Sequence, residues 1–125
     1  MKPIETKNAP AAIGPYSQAV GSAAGLVFVS GQLPIDPASG TFPEGGIGEQ
    51  TAQSLKNARA ILEEAGLSLQ NVVKTTVFLA DMADFGAMNE IYSQFFSAPF
   101  PARSAVAVKT LPKGALVEIE CIASR

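Results

Sequence analysis

The sequence predicts an α+β fold, a mixed sheet with two helices packed on one face. Three observations carry that expectation. Leu26 to Ser30 (LVFVS) and Val72 to Ala80 (VVKTTVFLA) are short runs rich in β-branched and aromatic residues, the mark of strands. Two other segments repeat apolar residues at three- and four-residue spacing, the mark of amphipathic helices. The elements follow one another as strands, helix, strand, helix, strand, strand, an α+β layout.

Each element has its own local reason. Lys2 to Thr6 reads as a short edge strand, and Ala9 to Gly14 as a Pro/Ala/Gly loop leading to Pro15-Tyr16. Ser17 to Ala24 reads as extended and Ala24-Gly25 as a tight turn, so this segment and Leu26 to Ser30 form a hairpin. The loop 31–48 carries Pro34, Pro37, Pro43 and five glycines, with turn signals at Asp36-Pro37 and Ser39-Gly40. A loop of that length in a small domain is often functional. The first helix spans Glu49 to Ala65, with the stripe Ala52, Leu55, Ala58, Leu62 and Ala65, and Gly66 as its stop. Asp81 or Asp84 caps the second helix, which runs to Phe96 with the stripe Phe85, Met88, Tyr92, Phe95 and Phe96. Pro99 and Pro101 end that segment. Arg103 to Val108 is a strand, Leu111 to Gly114 a turn, and Leu116 to Ala123 the last strand; these two strands are expected to pair as a hairpin.

With 125 residues, 47% of them apolar, the chain suits one domain over residues 1–125. Its net charge is −2, and its nine Lys and Arg residues form no run. That balance argues against a protein that grips nucleic-acid backbones. No stretch approaches the length of a membrane span. The start of the chain has no apolar targeting segment, and its single cysteine, Cys121, suits a reducing, cytoplasmic setting. Histidine is absent. Zinc sites of the usual kinds and Ser–His or Cys–His triads therefore cannot be built within one chain, and no metal site is expected. An enzyme of this composition works with carboxylates, Arg, Lys, Tyr, backbone groups and water.

Strand faces give a further expectation. Leu26 and Phe28 share one face and Val27 and Val29 the other, so both faces of that strand are apolar. Two helices cover only one face of the sheet. A second copy of the chain is the natural cover for the other. Arg103 and Glu118 are expected together on that helix-free face.

Arg103 is the unusual residue: a lone charge in "PFPARSAVAV". It is either half of a structural ion pair with Glu118 or Glu120, or a receiver for a small carboxylate, whose geometry its planar fork matches. Glu118 and Glu120 are either a solvated strand face or, in one case, a base that orients water. Tyr16 is a packing residue or a phenol that closes a pocket. Cys121 and the aromatic stripe of the second helix read as core.

Several blocks together resemble the RidA/YjgF/UK114 family. They are "NAPAAIGPYSQAV" (8–20), "VFVSGQLPIDPASG" (27–40), "QSLKNARAILEEAGLSLQNVVKTTVFLADMADFGAMNEIY" (53–92) and "PARSAVAVKTLPKGALVEIE" (101–120). The resemblance covers nearly the whole chain in unbroken order. It implies a chorismate-mutase-like α+β domain in a homotrimer with a barrel-like core and clefts between subunits. It also implies hydrolytic deamination of 2-imino or enamine acids, such as 2-iminobutanoate and 2-iminopropanoate, to 2-keto acids and ammonia, with no cofactor. By position, Arg103 matches the family's carboxylate-binding arginine, and Glu118 the residue that positions water. Tyr16, Gly31 and Asn89 match residues around the same pocket. Ala105 stands where many imine deaminases of the family have cysteine, so only its backbone is available there. Two other readings accompany the resemblance: a non-catalytic trimer that binds small keto acids, and a ribonuclease or translation inhibitor, which the acidic balance disfavours.

Overall fold

Alternation of buried and exposed residues orients every strand. A computed structural model describes residues 1–125. Six strands form one mixed sheet: β1 (Lys2–Ile4), β2 (Ala19–Gly21), β3 (Leu26–Gln32), β4 (Val72–Leu79), β5 (Ala102–Ala107) and β6 (Val117–Ser124). Their order across the sheet is β1-β2-β3-β6-β4-β5. Every neighbouring pair is antiparallel except β4 and β5, which run parallel. Two helices, α1 (Ile47–Glu64) and α2 (Phe85–Phe95), follow β3 and β4.

One face of the sheet and both helices enclose the core. Val27, Val29, Val77, Leu79, Val117, Ile119, Cys121 and Ala123 supply the sheet side, and Leu55, Ile61, Leu62, Met88 and Tyr92 the helix side. Burying each large aliphatic side chain contributes about 1.5–3 kcal/mol before entropy is counted. The α+β expectation thus holds. The other face keeps Phe28 41% and Val106 46% exposed, with Glu118 and Ile122 half-buried between them.

Local chemistry sets the element ends. Glu49 at the start of α1 accepts a hydrogen bond from the Gly46 N–H at 2.9 Å, and Gly66 beyond its end takes a positive φ of 77°. The buried face of α1 is more polar than the apolar stripe implies, since it includes Gln50, Thr51, Ser54 and Asn57. Asn57 fastens the long loop after β3, its Nδ2 donating to both Leu33 O and Ile35 O. Asp81 caps a short 3-10 turn (Met82–Asp84) through the Ala83 N–H, and α2 begins only after it.

Two expectations need correction. The last two strands do not form a hairpin: β5 pairs only with β4, and β6 lies between β3 and β4. The reason is the crossover. α2 leaves β4 and returns the chain in the same direction, so β5 must add in parallel at the sheet edge. β6 has a buried apolar face of Val117, Ile119, Cys121 and Ala123 and takes a place inside the sheet, between β3 and β4. The second correction follows from the first. Arg103 is the register partner of Thr75, which faces the helices, so Arg103 lies on the helix face and not beside Glu118.

Candidate functional site

Arg103 projects from the edge strand toward α2. Its Nη1 donates to Asn89 Oδ1 at 2.7 Å, and its Cζ lies 4.7 Å from the centroid of the Tyr92 ring and 5.5 Å from that of Phe85. Phe85, Asn89 and Tyr92 sit four and three residues apart on α2 and therefore share one helical stripe. Aromatic faces attract a guanidinium and leave its hydrogen-bonding edge unused. Of the five N–H donors of arginine, the Asn89 bond takes one. Arg103 also lines a cleft of about 450 Å³ together with Asn89, Tyr92, Ser93, Phe100 and Pro101. Ala105 follows on the same strand face, partly buried against the core. The expected alternative of an ion pair with Glu118 or Glu120 does not form, because both glutamates project from the opposite face of the sheet.

A second group of the expected residues gathers around the other face. β3 and β6 lose register between Val29 and Gln32, an irregularity of the kind that re-aims side chains beside functional sites. Gly31 falls in this interval. A Cβ built on Gly31 would overlap the carboxylate of Glu118, so the two residues are in direct contact. Burial first, and the charge of Glu120 second, raise the Glu118 carboxyl above the ordinary carboxylate value.

Tyr16 is 52% exposed and lines, with Gly31, Gln32 and Leu33, a cavity of about 910 Å³. Its loop is held from both sides. Ser30 Oγ donates to Ser17 O at 2.6 Å, and the Tyr16 N–H to Gly14 O at 2.8 Å. Gln18, buried, spans the N-terminal segment: its Oε1 accepts from Thr6 N–H and its Nε2 donates to Pro10 O. Two groups result: Arg103, Asn89 and Ala105 on the helix face at the sheet edge, and Gly31 in contact with Glu118 at the β3–β6 irregularity, with Tyr16 lining a cavity that Gly31 also lines.

Sequence reasoning assigned Phe85 and Tyr92 wholly to the core and so missed that they form the floor under Arg103. The available signal was Asn89, a polar residue inside an aromatic stripe, on the helix that crosses from β4 to the strand of Arg103. No cluster of three His, Cys, Asp or Glu side chains is close enough to share a metal ion.

The whole arrangement matches known proteins closely. The family model for endoribonuclease L-PSP matches residues 6–125. The chain is 54% identical to a 2-iminobutanoate/2-iminopropanoate deaminase of Mus musculus, over 98% of this chain and 90% of the relative. It is also 54% identical to a RutC family protein of Sinorhizobium fredii, over 99% and 98%. Among solved structures, RidA from the Antarctic bacterium Psychrobacter superposes with a TM-score of 0.94 at 46% identity, covering all of both chains. Escherichia coli TdcF with bound serine gives 0.94 at 47% identity, over 100% of this chain and 99% of the other. The chain is a small mixed α+β protein of the kind these structures define. It belongs to the RidA/YjgF family, also described as endoribonuclease L-PSP.

Proposed function

We propose that the protein hydrolyses small 2-imino acids, such as 2-iminobutanoate and 2-iminopropanoate, to 2-keto acids and ammonia. The observation that carries this reading is the guanidinium of Arg103. Its cation lies over aromatic rings, one N–H is tied to Asn89, and the residue lines a cleft. That is a receiver for one planar carboxylate. Mammalian relatives with 52–54% identity carry the name 2-iminobutanoate/2-iminopropanoate deaminase, which supports an enzymatic role.

Hydrolysis also needs a group that directs water to the C=N carbon. Glu118 suits that role, since a half-buried carboxylate with a raised proton affinity is a better base than a solvated one. Glu118 and Arg103 project from opposite faces of one sheet, so one protomer cannot bring both to a single small ligand. The site is therefore read as shared. Tyr16, Gly31 and Glu118 of one copy complete the cleft of Arg103, Asn89 and Ala105 of the next. A homotrimer, chorismate-mutase-like in outline, meets this need and covers the helix-free face, including its exposed Phe28 and Val106, with a barrel-like core.

In the proposed reaction the carboxylate docks on Arg103, and the docking fixes the position of the imine carbon. Glu118 takes a proton from water as the water oxygen bonds to that carbon, and the C=N electron pair moves to the protonated iminium nitrogen, giving a carbinolamine. Glu118 returns that proton to the amino nitrogen, then takes the hydroxyl proton as the C=O bond forms; the C–N bond breaks with its pair on nitrogen, and ammonia and the keto acid leave. Imines hydrolyse in water unaided, so positioning and one base suffice without a nucleophilic side chain at Ala105. No cofactor takes part. A reducing cytoplasm suits the single thiol, and no helix is long and apolar enough to cross a membrane.

The test is release of ammonia from 2-iminobutanoate generated in situ. Acceleration by wild type, and its near-complete loss in Arg103→Ala, is the expected result; no acceleration by wild type overturns the assignment. A second reading, a binding protein for small carboxylates, draws support from the serine bound in the similar TdcF structure. Binding of 2-oxobutanoate without imine turnover would favour it.

A further inference from the structure

Arg103 is held by more than its bond to Asn89. Thr75 on β4 and Arg103 on β5 are register partners, side by side on the helix face. Tyr92 of α2 lies over both. Its hydroxyl is 2.8 Å from Thr75 Oγ1, and its ring centroid is 4.7 Å from Arg103 Cζ. Thr75 is fully buried and Tyr92 is 6% exposed.

Core packing alone does not call for these hydroxyls. A phenylalanine would fill the space of Tyr92, and its ring would stack as well on Phe96, 4.6 Å away. What the hydroxyl pair adds is orientation. Each group satisfies the other away from water, so the ring cannot tilt without leaving two buried polar atoms unpaired. The axis and position of the ring are thereby fixed, packing against Phe96 restricts its rotation about that axis, and the guanidinium lies over that ring. Bidentate recognition of a carboxylate depends on the plane of the fork as well as its charge.

We propose that Thr75 and Tyr92 are a positioning pair for Arg103. Their shared hydrogen bond sets the platform on which the guanidinium lies and aims its free edge into the cleft beside Phe100. Neither residue is required to touch the reacting atoms. The role rests on the reading of Arg103 as the receiver of a substrate carboxylate.

The test uses the intact protein and two readouts. The first is the nitrogen-15 NMR resonance of the Arg103 Nε–H, which a stacked ring shifts upfield. The second is the affinity for 2-oxobutanoate by titration calorimetry. Thr75→Val keeps the shape of the side chain and removes its hydroxyl; Thr75→Ser keeps the hydroxyl. Thr75→Val is expected to move the Nε–H resonance toward its free position and to weaken 2-oxobutanoate about threefold, as a small loss of preorganisation does. Thr75→Ser should restore both. Tyr92→Leu should abolish the ring shift and weaken the ligand about tenfold.

A wild-type Nε–H resonance and wild-type affinity in Thr75→Val overturn the proposal, and so does failure of Thr75→Ser to rescue a change. Should Tyr92→Leu not fold, the two Thr75 variants decide alone. If wild type binds no 2-oxobutanoate, the carboxylate reading of Arg103 fails instead. The resonance in Thr75→Val then decides by itself whether the pair orients the arginine.

Discussion

Gly31 and Glu118 meet where the β3–β6 ladder is interrupted, and the missing side chain of the first makes room for the carboxylate of the second. A Cβ on Gly31 would stand 2.9 Å from Glu118 Cδ and would overlap the oxygen beyond it. The requirement for glycine here is one of space, since Gly31 is not among the residues with positive φ. Glu118 is thus held against backbone, half-buried, and next to the loop that carries Tyr16.

Gly31→Ala should therefore separate function from stability. The obstacle a methyl group meets is the far end of a flexible side chain, so the fold yields by turning Glu118 aside. We expect a loss of about 1 kcal/mol or less in stability. Imine hydrolysis should fall at least about tenfold if Glu118 is the base proposed above, because a displaced carboxylate would no longer face the water. Thermal unfolding and ammonia release measure the two effects. Equal activity in the variant would show that the position of Glu118 does not matter.

The raised proton affinity of Glu118 gives a signed pH dependence. Burial is the larger cause and the charge of Glu120 the smaller. The folded protein holds this proton more tightly than the unfolded chain does. Its contribution to stability is greatest below the ordinary carboxylate value and is lost as pH rises toward the higher folded value. Glu118→Gln should therefore unfold at a higher temperature at neutral pH and lose that part of the pH dependence. The same change removes the proposed base and should lower hydrolysis about a hundredfold or more. In wild type, the acid limb of the rate profile should lie above the ordinary carboxylate value, and Glu120→Gln should move it down.

Much of this architecture is legible in the residues. LVFVS and VVKTTVFL state their own conformation, and Gly66 ends α1 where the sequence places it. The partner of β5 is not legible in the same way. Alternation shows that Arg103 and Ala105 share a face, but not which face, because a strand of small residues such as ARSAVA has no dominant apolar side. The parallel crossover through α2 decides it, and with it the side on which Arg103 lies. The aromatic floor stays hidden for a related reason. Phe85 and Tyr92 satisfy the core pattern of a helix, and their second use under a cation appears only once β5 is known to lie beside β4.

The single thiol should be inert. Cys121 is 4% exposed on the core face of β6, and burial, with a smaller contribution from Glu120, pushes its pKa up to about 12. Ala105 leaves no other thiol near Arg103. N-ethylmaleimide or mild peroxide should leave the folded protein unlabelled at Cys121 and its hydrolysis unchanged, while denaturant should expose one reactive thiol. Mass spectrometry before and after unfolding, paired with ammonia release, checks both. Fast labelling of the native protein would mean that the core around β6 opens readily.

A shared site makes a prediction that a site within one chain cannot meet. Arg103→Ala and Glu118→Gln should each be nearly inactive alone. Mixed after unfolding and refolding together, they form assemblies in which the intact arginine of one copy faces the intact glutamate of another. With equal amounts and random assembly in a closed ring, each site takes its arginine side and its glutamate side independently. About a quarter of the sites are then complete, and about a quarter of wild-type hydrolysis should return. The same two variants mixed without refolding should gain little if copies do not exchange. Phe28→Glu supplies the complementary case. It places a carboxylate on the bare face, where a covering copy would have to bury it unpaired. The helix-side core is untouched, so the variant should keep its secondary structure, sediment as a smaller species and lose hydrolysis. Full activity in a monomeric Phe28→Glu protein, or no recovery in the refolded mixture, would place the chemistry within a single chain.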